Sequence, residues 1–471
     1  MSALWTRADA LAATGGTAEG GDWRANGVSI DSRSVAGGDL FVALPGPKFD
    51  GHDFVAGALK AGAAAALVSR RPADVPSDAP LLIVPDSLEG LAAMGRFQRA
   101  RSEATCLAVT GSVGKTSTKE MLRHVLAQQA TTFAAVASFN NHWGVPLTLA
   151  RLPLDARYAV FEIGMNHAGE IRPLTKMVRP LVALVTTIAP AHVEYFPDGL
   201  AGIADAKAEI FEGLLPGGYA IVNADAPMAA RLIERAAAQG ARVVTFGRAE
   251  EAGVRLLELS LHATCSAVKA RIGRETIDYC LSLPGEHMAM NSLGVLAAVR
   301  AAGADPVRAA TAMASLKSLK GRGLRQRLVL DGRSFDLIDD SYNANPTSMR
   351  AAFAVLAQSQ PERGGRRIAV LGDMLELGPE SLALHRALSK PLLAANVDLL
   401  FCSGPQMRGL FDAMPAEHQG AWAPDSQALA AIVAERLGAG DVILVKGSLG
   451  SRMARVIERL SAGAVPTAAS A

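Results

Sequence analysis

Lys115 closes a Gly-x-x-Gly-Lys-Thr string within the segment CLAVTGSVGKTSTKE, residues 106–120. Those types at that spacing can hold phosphate. Glycines at 111 and 114 let backbone N–H groups turn inward, and the following helix start adds partial positive charge. Lys115 can then reach terminal phosphate oxygens, and the Thr116 hydroxyl offers Mg2+ an oxygen ligand. The candidate cradle is Gly111, Ser112, Val113, Gly114, Lys115, Thr116 and Ser117. The widespread form of this loop carries one more glycine six residues before the lysine; here that position is Val109, so only the tighter pattern is met. The competing reading is a glycine turn ahead of a helix.

Other residues carry chemistry only in combination. Glu162 ends the apolar run YAVFEIG (158–164), where a carboxylate can hold Mg2+ directly or through water; a solvated strand end is the alternative. His192 follows the run LVALVTTI (181–188) and is a candidate ligand or substrate contact, or a structural histidine. Lys207, in DAKAEIFEGL (205–214), reads by spacing alone as a surface lysine beside neighbouring acids. His287 and Asn291 stand four apart, so a helix puts both on one face, where they can read a base edge. Lys446-Gly447-Ser448 ends a strand, where a cation and backbone donors can meet an anion. Ser32-Arg33 follows a strand and Phe49-Asp50-Gly51-His52 opens a helix; by themselves these read as a strand end and a helix cap.

The elements that must position these groups can be read from hydrophobic spacing. Residues 106–110 form a short apolar run suited to a buried strand, and Met121, Leu122, Val125 and Leu126 recur at helical spacing. In residues 1–100, strands are expected at 28–33 and 40–44 with a helix over 52–62, followed by two strands in AAAALVS and LLIVP. Residues 101–315 alternate strands and helices, which predicts a parallel α/β sheet, with hairpins over 254–284. Ligands of such sheets bind at the carboxyl ends of the strands. Residues 316–471 repeat the α/β class as a doubly wound sheet, with strands at 335–339, 399–404 and 441–448. A strand, a turn and a helix start are expected in 366–378. Asn345 is expected as the cap of a helix whose first residue is Pro346. The basic segment Lys320-Gly321-Arg322-Gly323 marks the junction, and the tail 462–471 is expected to be disordered.

Bulk properties set the outer bounds. The 471 residues suit about three domains of roughly 150 residues each. Forty-seven basic and 45 acidic side chains leave a net charge of +2, without the concentrated basic patch that a nucleic-acid surface needs. Cys106, Cys265, Cys280 and Cys402 are scattered, with no CxxC pair, as expected of thiols in a reducing compartment. No signal-peptide core opens the chain, and no apolar run reaches the roughly 18 residues of a membrane span. A cytoplasmic protein, with neither nucleic acid nor membrane as partner and expected as a monomer, follows from that reading.

The strings VTGSVGKTSTKE, NNHWGVPLTL, EIGMNHAGEI, AHVEYF…IADAKAEIF, IDDSYNANPTSM, VLGDMLELG and DVILVKGS, in this order, resemble the Mur ligases, ATP-dependent peptide ligases that build the peptidoglycan precursor. The resemblance runs from about residue 30 to 450. IDDSYNANP and LGDMLELG point to the branch that adds D-alanyl-D-alanine to UDP-N-acetylmuramoyl-tripeptide through an acyl phosphate, and DSR…GDLFVALPG…DGHDF fits it too. The resemblance implies an α/β fold of three domains: a small UDP-substrate-binding domain (1–100), a central P-loop ATPase-type domain (101–315) and a Rossmann-like ligase domain that binds the dipeptide (316–471).

The same resemblance implies roles. The 111–117 loop holds ATP, and Thr116, Glu162 and His192 surround Mg2+. Lys207 matches a lysine that becomes an N-carbamate and ligates a second Mg2+. Asn291, with His287 beside it, faces adenine, although Met288 stands where the family usually has asparagine. Arg322 and Asp340 reach ATP from the third domain; Arg325 and Arg327 lie close by, and Arg322 is chosen because it follows glycine. Asn140 or Asn141 lies near the phosphates or substrate. Ser32, Arg33, Asp50 and His52 hold the UDP end, and Asn343, Asn345 and Lys446 present the dipeptide. The competing readings are a sibling ligase adding the third residue, folylpolyglutamate synthase, or a nucleotide-dependent switch without ligation.

Overall fold

Strands whose alternate residues are all apolar need cover on both faces, and each sheet of this molecule is sandwiched accordingly. In the strand Thr105–Thr110, Leu107 and Val109 enter one core, while Cys106 and Ala108 enter a second on the opposite face. The C-terminal sheet repeats the arrangement: Ile338 and Leu444 face one core, and Leu337 and Ile443 the other. These contacts come from a computed structural model, which describes residues 3–135, 138–190, 193–362 and 364–466.

Three α/β sheets follow one another along the chain, which bears out the expected three-domain α/β architecture. The first has five strands. Thr17–Glu19 runs antiparallel to Leu81–Ile83, and Ala65–Val68, Asp39–Val42 and Gly27–Ser29 continue it in parallel. It is anchored to the next unit by the helix Gly144–Ala150. Leu147 and Ala150 sit in the core beneath the first sheet, and the Trp5 indole N–H donates to the Ala150 carbonyl at 2.8 Å.

The second sheet has nine strands. A parallel run goes in the order Val254–Leu261, Arg242–Gly247, Tyr219–Asn223, Val182–Val185, Thr105–Thr110, Tyr158–Glu162 and Thr132–Ala134; Ser266–Ile272 and Glu275–Leu281 extend it beyond Val254–Leu261 as an antiparallel meander. From Thr105–Thr110 the chain first fills one side of the sheet and then, from Val182–Val185, the other. The phosphate-loop strand therefore stands at the switch point, where ligands of such sheets bind. Register brings the candidate groups to one level: Glu162 pairs with Val109, and Val185 with Thr110.

The third sheet has seven strands, of which Arg333–Asp340, Val442–Lys446, Arg367–Gly372, Leu399–Ser403 and Gln419–Ala423 run parallel. Asn345 caps the helix Pro346–Gln358 through a reciprocal pair with Ser348, as its sequence predicts.

Several expected boundaries change. The strand expected at 28–33 is Gly27–Ser29, and Ser32–Ser34 is a 3-10 turn held by the Asp31 side chain. The helix expected over 52–62 splits into the 3-10 turn Gly51–Phe54 and the helix Val55–Lys60. The segment 205–214 around Lys207 spans the end of the helix Gly199–Ala208 and the 3-10 segment Glu209–Gly213 that continues it. No α-helix begins within 373–380; a short 3-10 turn, Gly378–Glu380, comes first. The strand Leu324–Leu330 has no counterpart among the expected elements. Part of the expected disordered tail, Val465–Pro466, pairs with it, because that strand would otherwise leave an open edge.

Candidate active site

The loop at the switch point is held in shape by its neighbours. Gly111 and Gly114 have φ of 147° and 84°, a region that L side chains avoid. A Cβ on Gly114 would stand 2.7 Å from the Asn291 amide nitrogen, so this glycine also admits Asn291. The Ser112 hydroxyl donates to the Ala189 carbonyl at 2.9 Å and accepts from the Ala189 N–H at 3.0 Å. The Thr186 hydroxyl donates to the Val113 carbonyl at 2.6 Å. The helix Lys115–Ala127 then starts without a side-chain cap, so its first N–H groups carry no partner of that kind, and Ser117 lies half-buried in its first turn.

Lys115 Nζ donates to the Gly111 carbonyl at 2.8 Å, across the mouth of the loop. Burial pushes its ammonium below the usual lysine range; Glu162 opposes that shift and Arg322 reinforces it. The Thr116 hydroxyl donates to Glu162 Oε2 at 2.8 Å, and Asn140 Nδ2 donates to Oε1 at 2.7 Å. Glu162 is only 1% exposed, which removes the solvated-strand-end alternative. Its two partners are neutral, so the pocket keeps a net negative carboxylate lined by a hydroxyl. Hard oxygen donors in that arrangement fit a divalent cation such as Mg2+.

Lys207 is the largest departure from its reading by spacing. It is 1% exposed, not on the surface, and burial, together with the charge of Lys115, drives its amine far toward the neutral form. The helix Gly199–Ala208 carries it into the interior one residue before its end.

From the third sheet, Arg322 NH2 donates to the Ser138 hydroxyl at 3.3 Å, and that hydroxyl lies 3.3 Å from Thr116 Oγ1. The Arg322 guanidinium stacks on the Tyr342 ring, 4.3 Å from its centre. Its flanking glycines, at φ of 75° and 80°, bend the backbone onto buried Asp339: the Gly321 N–H donates to Asp339 Oδ2 at 2.9 Å, and the Gly323 N–H to the Asp339 carbonyl at 2.8 Å. Lys446 Nζ donates to Asp340 Oδ2 at 2.6 Å and to the Asn343 carbonyl at 2.9 Å. His287 is held neutral, its pKa pushed down to about 4 by burial and by the charge of Lys446. Asn343 otherwise accepts the N–H of Ala344, Asn345 is spent on its cap, and Asn141 accepts the Gly144 N–H at 3.0 Å. His192 lies outside the described residues.

Family comparisons agree with this geometry. Residues 24–95 match the Mur ligase family catalytic domain, 109–299 the Mur ligase middle domain, and 324–449 the Mur ligase glutamate ligase domain. A UDP-N-acetylmuramoyl-tripeptide–D-alanyl-D-alanine ligase of Escherichia coli (strain K12) is 38% identical over 94% of this chain and 96% of its own length. The chain belongs to the Mur ligase family. Among solved structures, a MurF from Acinetobacter baumannii superposes with a TM-score of 0.83 at 31% identity, covering 97% of this chain and 98% of that one. A MurF ligase from Thermotoga maritima in complex with ADP gives 0.75 at 26% identity, covering 92% and 96%.

In this Mur ligase the N-terminal candidates form a separate group. Among the described residues, no hydrogen bond or ion pair joins them to the 111–117 loop. Arg33 extends into solvent with its side chain 88% exposed, paired only with Asp31, and Ser32 lies in the same turn. Asp50 holds His52 Nδ1 at 2.6 Å and Arg70 at 2.7 Å; the His52 N–H, the Arg70 guanidinium and the His52 ring keep its carboxyl well below the usual carboxylate range. His52 is buried and accepts the Ser69 N–H through Nε2 at 2.9 Å.

Ser138 and Asp339 were missed. Asp339 had a visible signal, the acid doublet in IDDSYNANP. Ser138 had none beyond its place two residues before NNHWG.

Proposed function

We propose that this chain joins D-alanyl-D-alanine to UDP-N-acetylmuramoyl-tripeptide at the expense of ATP. The observation that carries the reading is the gathering of cations at a buried carboxylate: Lys115 couples to Glu162 through its charge, and Arg322 reaches Ser138, which touches Thr116 of the Thr116–Glu162 pair. Its order of motifs in a chain so similar to ligases of that name supports the substrates.

The γ-phosphoryl group passes to the tripeptide carboxylate, giving an acyl phosphate and ADP. The neutral amine of the dipeptide attacks the acyl carbon, and phosphate leaves the tetrahedral intermediate. Two anions meet in the first step, so stabilising the shared negative charge is the main task. Lys115 and Arg322 supply fixed positive charge there. Asn291, against the loop, and His287 face adenine, with Asp340 on the nucleotide from the third sheet.

Two Mg2+ ions, when bound, neutralise phosphate charge and orient the carboxylate. Thr116, Glu162 and His192 would hold one and Lys207 the other. The neutral Lys207 amine is the form that adds carbon dioxide to become a carbamate anion, so its burial supports that modification. We assign 1–100 to the UDP end through Ser32, Arg33, Asp50 and His52, 101–315 to ATP, and 316–471 to the dipeptide through Asn343 and Asn345. Asn140 or Asn141 meets the phosphates or the acceptor. We read the chain as a monomer of the cytoplasm.

Closure of the third domain on the central one brings Arg322 to the loop. Locking the two apart with a cross-link should abolish turnover and leave ATP binding measurable; surviving turnover would sink that role. The overall test is ADP and phosphate release with Mg2+, with the two substrates supplied separately and together. Release that needs both, and a pentapeptide product by mass, is the expected result. ATP turnover indifferent to either substrate would favour the nucleotide switch instead.

A further inference from the structure

We infer that Lys446 is a positioning residue for the nucleotide, acting through Asp340, and not a contact of the dipeptide; the inference rests on the ligase reading above. Lys446 ends the strand Val442–Lys446, directly beside Asp340 at the end of Arg333–Asp340 in the parallel register. The order of burial separates the two. The lysine side chain is 3% exposed and the aspartate 23%, so the ammonium stands behind the carboxylate and the carboxylate faces outward. Two of the three ammonium protons are already spent, on Asp340 at 2.6 Å and on the Asn343 carbonyl at 2.9 Å. A dipeptide arriving from solvent meets Asp340 and the Asn343 turn before it meets Lys446.

What Lys446 holds lies on the nucleotide side. The Arg322 guanidinium acts on Asp340 through its charge and contacts Ser138, which in turn touches Thr116 of the phosphate loop. The carbonyl it fixes belongs to the turn between Asp340 and the capped helix at Pro346, and Ser448 fixes the next carbonyl, that of Ala344, at 3.2 Å. Burial pushes the Asp340 carboxyl up, and the lysine beside it draws it back toward the anion. Removing the lysine charge therefore leaves a carboxyl that protonates or turns away, and the loss is felt by whatever Asp340 binds.

The test is steady-state ligation by Lys446→Met, Lys446→Arg, Asp340→Asn and the Lys446→Met/Asp340→Asn double variant, varying ATP, the UDP-tripeptide and D-alanyl-D-alanine one at a time. Lys446→Met should raise the KM for ATP roughly tenfold, the effect of one lost hydrogen bond to a charged group, with the dipeptide KM unchanged. Lys446→Arg should restore most of the ATP affinity. The double variant should be no worse than Asp340→Asn alone, because both act on one interaction. A dipeptide KM that rises while the ATP KM stays put, or additive losses in the double variant, would overturn the inference. If Lys446→Met does not fold, Lys446→Arg decides: a raised dipeptide KM at unchanged ATP KM counts against it, and near-native values for both support it. A wild-type protein without ligation would instead refute the ligase reading; equilibrium ATP binding by the same variants then still decides for or against Lys446.

Discussion

Glu162 and Asp340 both end parallel strands, yet they are satisfied in opposite ways. Glu162 accepts from a hydroxyl and an amide, both neutral, and meets the Lys115 charge only through space. Asp340 accepts from a lysine ammonium, which cancels it. The same chemical group thus suits two ends: a carboxylate hydrogen-bonded only to neutral groups can take a metal cation, and one paired directly with an ammonium can offer a fixed hydrogen-bond acceptor without competing for a metal.

Breaking the first carboxylate should have the largest effect. Glu162→Gln keeps the shape and both neighbours but not the charge, and should lower the ligation rate by about 10²–10³-fold, with a higher Mg2+ concentration needed for half-maximal rate. A normal Mg2+ titration would remove Glu162 from the metal site. Asp340→Asn should act differently, leaving the Mg2+ dependence alone. It strands a buried ammonium, so the protein should lose about 3 kcal/mol of stability in denaturant unfolding.

Lys207 sharpens the contrast, since it is a buried amine with no carboxylate partner among the described residues. Its folded pKa lies well below the unfolded 10.5, so below pH 10.5 the unfolded chain binds a proton that the folded chain refuses. Stability attributable to this residue therefore rises with pH toward 10.5. In carbonate-free buffer, Lys207→Met should be more stable than the wild type at pH 7, with the gap closing as pH approaches 10.5, while ligation falls roughly 100-fold. His287 gives a smaller, acid-side version: neutral when folded with a pKa of about 4, against 6.5 unfolded, it should cost stability as pH falls from 6.5 toward 4. His287→Gln should flatten that part of the urea-midpoint profile. The smallest effect is expected at Arg33, where Arg33→Ala should leave the unfolding temperature unchanged and raise only the KM for the UDP-substrate, about threefold, as for an exposed charge.

These residues also show how far the amino-acid pattern reaches. The phosphate loop, its strand and its helix were legible because glycine, lysine and hydroxyl sit at fixed local offsets. The Asn345–Pro346 helix start was legible for the same reason. The burial of Lys207 was not, because helical spacing gives a face but not what packs against it; only the resemblance to the Mur ligases pointed to that position. Ser138 and Asp339 escaped notice because their partners, Arg322 and Gly321, are remote in sequence. The strand Leu324–Leu330 was hidden by its own charges: Arg325 and Arg327 reach Asp336 on the neighbouring strand, an arrangement that sequence alternation reads as polar linker.

The glycines around Arg322 have a mechanical consequence. Three backbone bonds fasten 321–323 to Asp339 and Tyr342, so this segment moves as part of the third sheet. Any pivot between the central and third domains would then lie upstream, between the end of the 3-10 turn Met313–Ser315 and residue 320. Arg322 rides just beyond that pivot, at the short end of the lever. Were the third domain to turn about such a pivot, its far edge near Gln419–Ala423 would travel much farther than the guanidinium. Arg322 would then approach the loop on the short arm of the lever, where a wide turn of the domain sets its distance from Ser138 finely.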